Sequence, residues 1–441
     1  MKKTFSLLSL FTIASMIIGC TQGPVPGINM DKSLISINNQ GLITQAQAIQ
    51  MALDATISFS ETPKTKGSPS KQISNYYPII KTSRNKTDTV IHIVNYENDG
   101  GFSIITANQK YGGLVAYVEK GQLNPNREDV NEGVQLFLQR LGAYMYYIDK
   151  KESNKNKQKE VTRIVPPGPP YTLLRIDTSI AYGNWTTTAF RDTMITMKWG
   201  YDRAPFNSNV PNFYNSGPVA IAIAHIMSYH QYPSSRYGHT YNWAGMMTHY
   251  HAPIDPSYNP QLANLLSDIT SSTNLDITSS APNCRYYDNF VSRTFVNMGY
   301  SVGTLSNYNY ANVKASINGG KPVYAAGTSA YLYTTFELLG INFTHTHFAW
   351  VIDGYEEEYR TVTICYDYVY GVMNGGNSYP EEVITTYEYG GENKHTEHHN
   401  MCSSGMFDGW YSADVLNFGQ PIDNGGFTYE TNVVILTNID S

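Results

Sequence analysis

Cysteine is scarce, with four in 441 residues: Cys20, Cys284, Cys365 and Cys402. With Cys20 closing a leader-like stretch, the odd remainder allows at most one disulfide, so a disulfide framework is excluded. Basic charge is also lacking. The net charge is −6 and the pI about 6.0, which removes the electrostatic footprint of a nucleic-acid-binding protein. The apolar run from Phe5 to Ile18 is too short to span a bilayer. Preceded by Lys2 and Lys3 and followed by Gly19-Cys20, it reads as a lipoprotein signal peptide over residues 1–19. Acylation of Cys20 is expected, which would hold an exported chain at the bacterial cell envelope, on the outer membrane, through an acyl anchor alone. Tyrosine, by contrast, is abundant, with 36 against 16 Phe, either half-buried in cores or displayed on a binding surface.

A Gly/Pro-rich tether over residues 20–39 leads to a first unit at residues 40–150. Thr44 and Gln47 form a capping-box pattern ahead of Ile49, Ala52 and Leu53. Residues 58–85 are rich in Ser, Thr, Lys and Pro and read as loop. Strands are expected over 90–94, 102–106 and 114–118, then a long helix carrying Val130, Val134, Phe137, Leu141, Met145 and Ile148 on one stripe. Residues 151–179, charged and then Pro-rich through Pro170, read as an exposed, extended linker. The second unit, 180–441, has one strong helix at 219–229, with strand-like runs concentrated in its later half. Both units are expected to be α+β, the second with a helical half and an antiparallel sheet half.

Several stretches of the second unit go further than pattern. Trp199-Gly200-Tyr201 through Pro205-Phe206-Asn207 is similar to a W-G-Q-x-x-P-Y-N motif with one insertion. Ser216-Gly217-Pro218-Val219-Ala220 runs on to Tyr229-His230-Gln231-Tyr232-Pro233, close to T-G-C-V-A-T-A-x-A-Q-I-M-x-Y-H-x-x-P. His347-Phe348-Ala349-Trp350-Val351-Ile352-Asp353-Gly354-Tyr355 matches G-H-A-W-V-x-D-G-Y but for its start, and Asp367-Tyr368-Val369-Tyr370-Gly371 is set against N-W-G-W-G. Asp408-Gly409-Trp410-Tyr411 resembles a closing N-G-Y-Y strand. These motifs resemble the streptopain family of papain-like cysteine peptidases. In the first unit, Gly101-Phe102-Ser103-Ile104-Ile105-Thr106-Ala107-Asn108 looks like a segment of that family's propeptide.

The resemblance implies a peptidase scaffold with its chemistry substituted. Such chemistry needs a thiolate at a helix N-terminus, a His base, a group orienting that base, and oxyanion donors. Pro218 stands at the nucleophile position, Phe348 at the base, Tyr201 at the oxyanion Gln and Asp367 at the orienting Asn. Proline suits the first position of a helix, so Pro218 is expected there, keeping the helix while removing the sulfur. His347 adjoins Phe348 but faces the opposite side of a strand, as does His345, so only a bulge could bring either into the cleft, with His347 the candidate rescue base. Ser216, Cys284 and Cys365 lack the placement of a nucleophile. His395, Glu397, His398, His399 and Cys402 fit no standard zinc spacing and read as a solvated polar loop, so neither a metal nor any other cofactor is expected. The expected role is non-catalytic, with a peptide or protein ligand in the former cleft and no nucleic acid. The alternatives are an active peptidase with displaced catalytic residues, or a Tyr-rich surface that binds glycan or a host protein.

Overall fold

The structure, a computed structural model, describes residues 41–59, 71–83, 86–125, 130–158, 171–201, 213–247, 259–276, 285–328, 347–374, 377–417, 422–423, 428–429 and 432–441. Cys20, Cys284 and the tether lie outside these residues, as do 159–170 of the linker.

The first unit opens with helix α1 (Gln45–Ser58). At its start the Thr44 hydroxyl accepts from the Gln47 N–H at 3.3 Å, and the Gln47 side chain accepts from the Thr44 N–H at 2.8 Å. Four antiparallel strands follow: β1 (Ile73–Ser83), β2 (Lys86–Tyr96), β3 (Phe102–Thr106) and β4 (Leu114–Val118). β1 corrects the loop reading of residues 58–85. It is an edge strand paired with β2 alone, and an edge tolerates Pro78 and a polar composition. Helix α2 (Glu132–Gln158) then overruns the expected linker boundary. Its charged end remains helical because Lys and Glu are good helix formers, and Lys150 and Lys151 lie over the rings of Tyr146 and Tyr147 one turn earlier.

The second unit begins with β5 (Tyr171–Tyr182) and β6 (Thr186–Arg191), then α3 (Phe213–His230), the small ribbon β7 (Ser235–Arg236) and β8 (His239–Thr240), α4 (Trp243–Met247), α5 (Asn259–Thr270) and α6 (Arg285–Asn297). Next come β9 (Ser306–Asn307), α7 (Tyr310–Asn318), β10 (Val323–Thr328), and the long pair β11 (His347–Asn374) and β12 (Asn377–Asn400). The chain finishes through β13 (Gly409–Ser412), α8 (Ala413–Asn417), β14 (Ile422–Asp423), β15 (Thr428–Tyr429) and β16 (Asn432–Leu436). The fold is α+β, mixing helices with antiparallel sheet.

The two units share one sheet, in the order β1-β2-β3-β4-β13-β12-β11-β10-β16-β9, with β5 and β6 also on β11. β4 and β13 make the joint, pairing Val118 with Gly409 and Tyr117 with Trp410. Gly409 is required there, since a Cβ would lie 2.3 Å from the Tyr117 carbonyl oxygen. Helices cover both faces of the second unit's sheet. Ala349 and Val351 pack with α3, α5 and α6, whereas Phe348, Trp350 and Ile352 pack with α2 and α7. Val134, Phe137 and Leu141 of the first unit thus lie in one core with Val323, Val433 and Ile435 of the second. Arg140, only 4% exposed, donates to the carbonyls of Val415 (3.4 Å) and Leu416 (2.8 Å). Removing α2 would expose that core and orphan two buried carbonyls.

Candidate functional site: the substituted cleft

Helix α3 is apolar on every side. Val219, Ala220, Ile221, Ala222, Ile223, Ala224, Ile226 and Met227 are all fully buried, as expected for a helix at the centre of its domain. Pro218 is buried too, but not at the first helical position. The helix starts at Phe213, so Pro218 sits more than a turn inside and supplies no N–H to the Tyr214 carbonyl. This corrects the expectation, which relied on the preference of Pro for a helix start. An upstream turn takes that place here, and the buried run downstream holds the helix through the missing bond.

Tyr201 connects the helix to the sheet. A Cβ at Gly217 would come within 2.4 Å of the Tyr201 side chain, which leaves the glycine no alternative. The Tyr201 ring meets Phe348 edge-on, centroids 6.2 Å apart, and its N–H donates to the Cys402 carbonyl at 3.3 Å. Phe348 is fully buried, and a Cβ on Gly133 would lie 2.8 Å from its ring. The first turn of α2 therefore rests on the base position. Between Gly133, Phe137, Trp350, His399 and Met401 about 10 Å³ of space remains, at the lower limit for a single water.

His347 keeps strict register. It pairs with Thr328, and Phe348 with Gly327, with no bulge along the β10–β11 ladder. Its side chain therefore shares the face of Ala349 and Val351, opposite that of Phe348. The bulge needed to bring it to the face of Phe348 is not there.

Asp367 is not part of this site, which corrects its assignment as the orienting residue. It lies far along β11, paired with Asp177 and Thr385 and accepting from the Thr385 hydroxyl at 2.7 Å. About 60 Å of extended strand separates it from Phe348. Asn400 fits the N-x-G-x-G pattern better. It stands opposite Val351, is 1% exposed, donates to the Met197 carbonyl and accepts from the Cys402 N–H, both at 3.1 Å. Cys402 and Ser404, two and four residues on, have φ of 56° and 55°, the left-handed region for which the motif's glycines are suited. The signal in the sequence was the spacing: Asn400 lies shortly before Asp408-Gly409-Trp410-Tyr411, in one segment with it.

With this geometry in place, the first unit can be compared with known proteins. Residues 40–145 match the Spi protease inhibitor family. The match falls on the segment that resembles a streptopain-type propeptide, and it relates the chain to the precursors of such peptidases. Among curated proteins no relative matches the sequence. Among solved structures, a Prevotella intermedia prointerpain A fragment superposes with a TM-score of 0.45 at 17% identity, covering 83% of this chain and 99% of that one.

The first unit is bound to the second by charge as well as by packing. Asp353, fully buried, accepts from the Ile195 N–H at 2.8 Å and contacts His398 Nδ1 at 2.6 Å. On the other side of that ring, Glu119 of the first unit lies 3.5 Å from Nε2. Burial opposes a charged imidazole, but Asp353 and then Glu119 overcome it and hold His398 up to about 10. Burial likewise works to raise Glu119, yet His398, Lys198 and Lys71 bring it below the usual carboxylate range. Lys198 also pairs with Asp408 at 2.9 Å.

The reading of residues 395–402 as a solvated loop is overturned. They belong to the central strand β12 and the turn after it, with Glu397, His398, His399 and Cys402 at most 2% exposed. Strand pairing on both sides supplies the burial that a local reading could not see. Alternation puts His395, Glu397 and His399 on one face, where His395 meets Asp414 at 2.8 Å and Glu397 accepts from the Tyr308 hydroxyl at 2.7 Å, and His398 on the other. Cys402 Sγ approaches His225 Nδ1 at 3.9 Å. That pair is not a catalytic dyad. His225 Nε2 accepts from the Trp199 N–H at 3.1 Å, so the neutral ring carries its proton on Nδ1, facing the sulfur. Burial drives His225 down to about 3 and pushes the Cys402 thiol well above its usual value, so both stay neutral. Cys365 lies buried on the distal part of β11, beside Asp367.

Proposed function

We propose that this chain is a catalytically inert relative of streptopain-type peptidase precursors that works by binding, exported and anchored through acylated Cys20 to the outer membrane of the bacterial envelope. The observation that carries the reading is that Tyr201 lies against both Gly217, beside Pro218 in α3, and Phe348, with the first turn of α2 seated on Phe348. Nucleophile and base are both replaced there, and the nearby Cys402–His225 pair has its proton on the wrong nitrogen. A peptide or protein ligand entering the former cleft has to compete with Gly133 for Phe348. Nucleic acid has no part in this role, and the membrane is reached through the acyl group.

An inert protein cannot remove its own first unit. Intact-mass analysis of protein recovered from its native membrane is therefore expected to give one species that starts at acylated Cys20 and retains residues 40–145. A dominant species beginning near Tyr171 would mean either self-processing, which overturns the proposal, or a second protease acting on the linker.

A further inference from the structure

At the seam between the two units two clefts adjoin, of about 460 and 200 Å³. Gln109, Gly112, Leu114, Trp185 and Lys394 line both, so they form one groove with the indole of Trp185 between its halves. The larger half has the size of a small-molecule site, roughly 300–1,000 Å³. Its floor is β11, where Glu356, Glu358 and Arg360 project to one face by alternation, with Lys394 of β12 opposite Glu358. Helix α1 and the turn between β5 and β6 form the walls.

The floor is polar, and in the larger half carboxylates outnumber cations. Arg360, 3% exposed, donates to Glu392 at 2.6 Å and to the Gln109 side chain at 2.9 Å. Its guanidinium lies 4.1 Å from the Tyr182 ring centroid and 4.3 Å from that of Trp185. The Lys394 ammonium is 2.7 Å from Glu358, which leaves further N–H donors on the same nitrogen, 5.6 Å from the Trp185 ring. Glu356 accepts from the Thr187 hydroxyl at 2.8 Å. Each cation is thus matched by a carboxylate, and Asp54 and Glu356 add acceptors beyond that balance.

Ligand classes fall away in turn. The surplus of carboxylates disfavours a phosphate-like anion. An extended peptide would need free main-chain groups, but β11 is paired here on both sides, Glu358 with Thr187 of β6 and with Lys394 of β12. An aromatic face beside fixed donors and acceptors of both signs suits a neutral, hydroxyl-rich molecule with an apolar C–H face.

We propose that this groove binds a neutral saccharide, its C–H face against Trp185 and its hydroxyls shared among Gln109, Glu356, Glu358 and Lys394. The inference goes beyond the binding proposed for the former cleft, since it adds a second site, at the seam, for another ligand class. The two fail differently, because saccharide binding is read without any peptidase assay. Full-length protein in a detergent without a sugar headgroup is titrated calorimetrically with chitotriose, cellotriose, maltotriose and xylotriose, and with inorganic phosphate and trilysine as controls. At least one trisaccharide is expected to bind saturably at one site, with Trp185→Ala and Glu356→Gln each weakening it about tenfold or more. Glu356→Gln preserves shape, so an unchanged unfolding curve separates lost contact from lost fold. The proposal is overturned if no trisaccharide gives a saturable signal, if both variants bind as well as the native protein, or if phosphate or trilysine binds there and the saccharides do not.

Discussion

The two ends of β11 carry similar-looking sequence and opposite meaning. At its start, Phe348, Ala349, Trp350 and Val351 are gripped between α2 and α3, and each face of the strand belongs to a different core. Beyond Arg360 the strand runs out between β12 and β5 as a three-stranded arm, with Val383 53% exposed and Tyr389 76% exposed. A motif at the buried end constrains every residue, because packing on both sides reads it. On the arm, Val369 and Tyr370 are buried as well, but far from α2 and α3, and Asp367-Tyr368-Val369-Tyr370-Gly371 imitates N-W-G-W-G away from the other motifs. Burial alone does not separate the two near-matches; what separates them is whether the segment packs against the helices that carry the rest of the site.

Changes at the buried end should dominate. Phe137→Ala removes the α2 side chain that packs edge-on against Tyr411, centroids 5.1 Å apart, in the shared core. A loss of about 3–5 kcal/mol is expected by denaturant unfolding, in a single transition covering both units. Two separate transitions would show that the first and second units do not share their stability.

The charge joint comes next. His398→Gln leaves the fully buried Asp353 without its imidazolium, at a cost of about 3–5 kcal/mol near neutral pH. The pH dependence has a definite sign. His398 is held at about 10 in the folded chain, against 6.5 ordinarily. Its contribution is therefore fully present below about pH 6.5 and is lost as the pH rises through about 10. Unfolding measured across that window should show stability falling in the native protein, with the slope much reduced in His398→Gln. An equal slope in both would mean that His398 is not charged in the fold.

The contrast between the two ends of β11 sharpens with a smaller pair of substitutions. Asn400→Ala orphans the Met197 carbonyl and the Cys402 N–H, and should cost on the order of 1–3 kcal/mol. Asp367→Ala, on the arm, should stay within about 0.5 kcal/mol. Comparable losses at both positions, read from unfolding midpoints, would remove the distinction drawn between them. Smallest of all should be the effect of Pro218→Cys on activity. It restores a thiol and an N–H but no base, so peptide cleavage should stay at the blank. Adding Phe348→His and Tyr201→Gln, beside the native Asn400, should produce turnover far beyond the sum of the single changes. The oxyanion donor regained at position 201 is a contribution of about 3 kcal/mol in comparable sites.

What was legible in the sequence was local or periodic. The capping box at Thr44, the strands at 102–106 and 114–118 and the apolar run of α3 each declare themselves within a few residues. What was not legible depends on a distant partner. β1 exists because β2 pairs with it, and the histidines of β12 are buried because β11 and β13 flank them. The β4–β13 joint links segments hundreds of residues apart, so no local pattern announces a shared core. Pro218 misled through a general preference for helix starts, which an extra upstream turn overrode. Asn400 was hidden because Cys402 and Ser404 stand where the motif has glycines, and their left-handed backbone shows only in the fold.

Casein turnover at neutral pH under reducing conditions, compared between the native protein and Cys402→Ala, decides whether the cleft is chemically dead. The buried, neutral Cys402–His225 pair and the substituted positions Pro218 and Phe348 imply no cleavage above the blank in either protein. Cleavage by the native protein that disappears in Cys402→Ala would contradict that, and would place a working thiolate beside a histidine that the hydrogen bond from Trp199 holds in the wrong tautomer.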